Sequence, residues 1–156
     1  MKKLLSVGNI IACLCFILSL VGLILYVANV NGDGFFKGHN VDGVIAYCVL
    51  AMVFSLLIIA ASFLPRNGIV GKIVDIVVMV LKVLIPVMMF LAVMALTAER
   101  VAGFGYIFFS NEDVRKEVAT PANLASAYLA ITTLVFDGIA AVAGIVGSFF
   151  LLKKEN

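Results

Sequence analysis

The chain has 156 residues, of which 64% are hydrophobic and 13% charged, and its mean hydropathy is +1.22. A soluble domain of this length cannot hide so much apolar surface, which exceeds the roughly 45 to 50% of ordinary globular proteins, so lipid must serve as the solvent. The formal net charge of +2 points to no polyanionic partner such as nucleic acid, and a separate soluble catalytic domain is not expected.

The first predicted span covers residues 4–29 and follows Lys2 and Lys3. It is too long for a secretory signal and lacks a small-x-small cleavage site, so it reads as a retained helix. Asn31-Gly32-Asp33-Gly34 ends it with strong turn chemistry. The second span covers residues 42–64 and stops at Pro65-Arg66-Asn67-Gly68, and the third covers 72–97 with Pro86 inside it. Residues 98–120 form the longest predicted connection. Its aromatic run Gly103-Phe104-Gly105-Tyr106-Ile107-Phe108-Phe109 suits either a headgroup anchor or a surface for a partner, and Ser110-Asn111-Glu112-Asp113 can start a short polar helix. The fourth span, 121–152, opens with Thr120-Pro121, a capping residue followed by a proline at the one position that needs no amide donor. It ends in Lys153-Lys154.

Each span can cross about 30 Å of hydrocarbon at roughly 1.5 Å per residue. The expected fold is therefore all-α: a single polytopic domain, residues 1–156, built as a four-transmembrane-helix bundle. Lys2, Lys3, Arg66, Lys72, Lys153 and Lys154 collect on one side, while Lys37, Arg100, Arg115 and Lys116 on the other are interleaved with acids. By the positive-inside bias, both termini are expected in the cytoplasm and loop 98–120 outside. The compact design fits the cell membrane of a bacterium, its inner membrane.

Intramembrane polar residues are costly and mark candidate sites. Asp137 falls near the middle of the fourth span, where an aspartate costs roughly 2.5 to 3.5 kcal/mol on insertion scales. Lys82 in the third span is expected at similar depth, so the two form either a structural ion pair or part of a polar pathway. Asp75, two turns along the face of Lys82, and Asn9 in the first span are expected to extend that seam. Pro86 cannot donate to the carbonyl of Lys82, so it predicts a helix kink there. On the fourth span, Ser126, Ala130, Thr133, Ala140, Ala141, Gly144 and Ser148 make a small-residue packing face on which Asp137 also lies.

Other chemistry is sparse. Cys13, Cys15 and Cys48 sit in apolar stretches without redox spacing, and His39 is the only histidine. The segment starting at Asn29 resembles a calcium loop only in part, since its twelfth position is Asn40 where a bidentate Glu is needed. Neither a cofactor nor a metal is expected, and no nucleophile can be paired with a base, so enzymatic activity is not expected. In helix number the chain is similar to small multidrug transporters, but it lacks the carboxylate of their first span. Two functions remain. One is an accessory subunit that packs against another membrane protein, or itself, through the small-residue face. The other is a small oligomeric transporter or channel using Asp75, Lys82 and Asp137.

Overall fold

The computed structural model describes residues 6–64 and 68–150. Lys2, Lys3, Arg66, Lys153 and Lys154, on which part of the charge asymmetry rests, lie outside the described residues.

Five helices follow one another: α1 (Val7–Asn31), α2 (Val44–Ala61), α3 (Gly68–Phe109), α4 (Glu112–Val118) and α5 (Pro121–Ser148). Four of them, all except α4, are long and apolar enough to span a membrane, and the protein is a multi-pass, all-helical membrane bundle. Local chemistry sets their ends. The Ser6 hydroxyl accepts the Asn9 amide at 3.3 Å to cap α1, and Gly32 follows its last turn. Thr120 caps α5 through the Asn123 amide at 3.3 Å, with Pro121 in the first turn.

The four long helices run up and down in alternation and close a ring. α1 packs on α2 and α5, and α3 packs on the same two, which leaves α1 opposite α3 and α2 opposite α5. One end of the bundle carries the start of α1 and the end of α5 and is termed the terminal end. The other carries the α1–α2 loop and α4 and is termed the loop end. Three apolar clusters stack between them: Ala12, Cys15 and Ile58 toward the terminal end, Leu18, Cys48 and Met89 in the middle, and Phe36, Ile107 and Ala127 at the loop end.

The third helix departs from the expected span. It does not stop at residue 97 but continues to Phe109, so residues 98–109 are helix rather than loop. Its 42 residues extend about 63 Å, twice the hydrocarbon thickness. The extension is held because its inner face is covered. A Cβ on Gly103 would stand 2.5 Å from the Phe36 ring, so the α1–α2 loop lies directly on the helix there. Phe36 also meets Phe35 and Phe104 edge to face, at ring separations of 5.3 and 5.7 Å. α4 is the short polar helix anticipated at Asn111, whose side chain accepts the Val114 amide at 3.0 Å. α3 runs through Pro86 without interruption.

Candidate functional site: the polar interior

The small-residue face of α5 turns inward. Ser126, Ala130, Thr133, Ala140, Ala141 and Gly144 are all buried against the chain's own helices, whereas Ser148 is partly exposed and Gly147 takes its place in the buried row. The reason is close approach: a Cβ on Gly144 would sit 3.0 Å from Pro86 Cδ, so this glycine admits the proline ring of α3. Ser126 does more than pack. Its carbonyl and hydroxyl accept Asn29 Nδ2 at 2.7 and 3.1 Å, and the hydroxyl also accepts the Phe36 amide at 3.3 Å.

Asp137 occupies the centre. It is fully buried, and among the described residues neither carboxylate oxygen has a hydrogen-bond partner. Its side chain points at α1, where a Cβ on Gly22 would lie 2.0 Å from Oδ1. Gly22 is therefore the residue whose missing side chain makes room for the carboxylate. Cys48 on α2 lies near enough to interact with it electrostatically. One turn from Gly22, Ser19 donates to the Cys15 carbonyl at 2.8 Å and also lies 3.1 Å from the Met89 sulfur, so its hydroxyl is engaged within the core.

Lys82 and Asp137 do not meet. The Lys82 ammonium donates to the Phe150 carbonyl at the end of α5, roughly 20 Å along that helix from Asp137. The expectation of matching depth fails because of register: Gly144 packs on Pro86, which sets Lys82 about eleven residues, or roughly 16 Å, from the level of Asp137, and its side chain leans farther toward the start of α3 at the terminal end. Lys82 thus approaches the carbonyl end of α5, where a cation is favoured by unpaired carbonyls and the helix dipole. Asn9, fully buried, and Asp75, half-buried, belong to α1 and α3 toward this same end. The anticipated seam is split: Asn9, Asp75 and Lys82 on the terminal side, Asp137 alone in the middle.

A second polar group gathers at the loop end, and sequence reading placed its main member in solvent. Arg100 is 1% exposed. It donates to the His39 carbonyl at 2.7 Å, and its guanidinium stands 4.4 Å from the centre of the Phe36 ring. Tyr26 joins it by accepting the Val41 amide at 2.6 Å. So α1, α3 and α5 each send one polar side chain to the backbone of the same loop. Outside the spans, Asp33 is held below the usual carboxylate range by its hydrogen bond to Lys37 and by that charge; the pair, at 2.6 Å, is exposed and adds little to stability.

The missed signal was on α1. Ser19, Gly22, Tyr26 and Asn29 are spaced three, four and three residues apart, one helical face of small and polar groups inside an apolar span. That face is the buried one. Between the helices near Lys82, Gly144 and Gly147, a crevice has room for about one water molecule. Comparison with known proteins finds no matching family model, no matching curated protein and no matching solved structure, so the residues themselves carry the functional reading.

Proposed function

We propose that the chain is a small, non-enzymatic transport protein of the cell membrane in which Asp137 takes up and releases a proton as α1 and α5 part at Gly22. The observation that carries this reading is the complete burial of Asp137 with both oxygens unbonded. A structural carboxylate at that depth would be expected to hold a cation or a donor, since an unpaired charge in the bilayer is costly and intramembrane ionisable groups are characteristic of ion and proton routes. A proton suits the place better than a hard metal ion, because such an ion needs about six oxygen ligands and, among the described residues, no group hydrogen-bonds to either Asp137 oxygen. Polar groups toward both ends, Lys82 with Asn9 and Arg100 with Asn29, give such a route steps on either side. The membrane in question is that of a bacterial cell, with both termini cytoplasmic, a placement supported by the lysines flanking the spans and by the acids interleaved with Arg115 and Lys116.

A second reading, the accessory subunit, draws on close packing beside the polar groups, where the crevice near Lys82 has room for about one water. Its original support, the small-residue face of α5, is now engaged within the bundle. Association with another membrane protein or a second copy would have to use the lipid-facing sides.

Reconstitution separates the two. Purified protein in liposomes containing a pH-sensitive dye should dissipate an imposed proton gradient, and Asp137→Asn should return the rate to that of empty liposomes while keeping the folded size. Equal rates in both proteins would remove Asp137 from the mechanism. No flux from either, together with stoichiometric recovery of a foreign membrane protein after gentle solubilisation, would favour the subunit.

A further inference from the structure

Arg100 presents a problem that its role as a loop support does not resolve. A guanidinium is always charged and carries five N–H donors in a fixed plane. Burying that charge costs several kcal/mol unless an anion or a full set of acceptors accompanies it. Among the described residues, one carbonyl and one aromatic face meet it, no carboxylate pairs with it, and its Nε–H finds no acceptor. Glu99, next in sequence, attracts Arg100 electrostatically but is on the exposed side of the helix and makes no ion pair with it among the described residues.

Nε and the adjacent terminal nitrogen form the edge that grips two oxygens of a carboxylate or phosphate in parallel hydrogen bonds. We propose that Arg100 is the binding group of an oxyanion site beneath the α1–α2 loop. The ligand class is a carboxylate or phosphate group, whose paired oxygens suit that edge. It is supplied either by a free solute or by a lipid headgroup, since Arg100 lies at the loop end, where α3 runs on past its apolar stretch.

The loop is the cover of this site, and its construction allows it to move. Phe36 and His39, which lie against the guanidinium, belong to a segment whose Gly34, Gly38 and Gly43 all have positive φ, at 129°, 74° and 84°. Nothing lies within 4 Å of a Cβ built on Gly38, so the crown of the loop is open. Four polar contacts tie the covering segment to the helices: Phe36 to Ser126, Val41 to Tyr26, the Gly38 amide to the Val30 carbonyl at 2.8 Å, and His39 to Arg100 itself, the one an oxyanion would replace. An oxyanion that displaces the His39 carbonyl exchanges a neutral acceptor for a charged one, which forms the stronger bond. The inference does not depend on the reading of Asp137.

The test follows the Arg100 side chain in the intact protein. The chain has three arginines, so the 15N–1H signals of their Nε groups can be resolved and assigned. Detergent-solubilised protein in an oxyanion-free buffer is titrated with inorganic phosphate and, separately, with acetate. A third sample is placed in phosphatidylglycerol nanodiscs without added anion. The expected result is a saturable shift of the Arg100 signal that the exposed Arg115 does not share. A shift in the titrations assigns the site to solutes, and one in the nanodiscs assigns it to the headgroup. An Arg100 signal that stays fixed in all three samples, or moves no more than that of Arg115, overturns the proposal. Arg100→Gln should weaken calorimetric binding of the effective anion by roughly tenfold or more. Unchanged binding in a folded variant would also overturn it. If that variant does not fold, the wild-type spectra decide alone.

Discussion

Gly22 has no room for a Cβ, because the Asp137 carboxylate fills that space. With Oδ1 only 2.0 Å from where a Cβ would stand, Gly22→Ala forces the carboxylate to move within a fully buried setting. Overpacking of this kind costs about 1 to 3 kcal/mol. The expected outcome is a lower thermal unfolding midpoint in detergent for Gly22→Ala, with much of the loss recovered when Asp137→Ala is added, because the second change removes the obstructing atoms. The coupling should fall within about 0.5 to 3 kcal/mol. Strictly additive effects would mean that the two side chains do not share the space. Sequence alone marked Asp137 as exceptional, since any carboxylate in a span is exceptional. Gly22 gave no such mark by composition, being one of 13 glycines, and only its position on the Ser19–Tyr26–Asn29 face distinguishes it.

At the level of the helices, α3 and α4 behave in opposite ways. The extension of α3 beyond residue 97 is secured by burial: Arg100, Gly103 and Ile107 are interior residues beneath the α1–α2 loop. α4 has seven residues, none of them buried, and rests on its Asn111 cap and an exposed Lys116–Glu112 pair at 3.3 Å. Short helices without tertiary burial are marginal in water. Hydrogen exchange should therefore find the α4 amides opening at least about tenfold more readily than those of residues 100–107, although both segments lie at the same end of the bundle. Equal protection would show that α4 is covered by something, lipid or a partner. Sequence reading took both segments for one loop because charge and aromatic residues at a span end usually mark the interface. The cover provided by Phe36 is a contact over more than sixty positions of sequence, beyond the reach of a local pattern.

The whole molecule is a ring of four helices with apolar side chains outward and its costly polar groups inward. Its expected orientation has a direct check. In a background with the native cysteines replaced, a membrane-impermeant maleimide applied to intact cells should label Lys116→Cys. Lys72→Cys should be labelled only after the membrane is permeabilised. The reverse pattern would turn the bundle over and place Arg100 and its loop on the cytoplasmic side. The number of crossings, the approximate limits of the first, second and fourth spans, the cap at Thr120 and the small-residue face of α5 were legible in the sequence, but not whether that face meets this chain's own helices or another protein. Each follows from local hydropathy, helical periodicity or backbone satisfaction, which neighbouring residues fix by themselves. The direction of Lys82 toward Phe150, the isolation of Asp137 against Gly22 and the burial of Arg100 were decided only by tertiary structure. These depend on which positions of antiparallel helices come level with one another, a register set by close packing at residues such as Gly144 and Pro86.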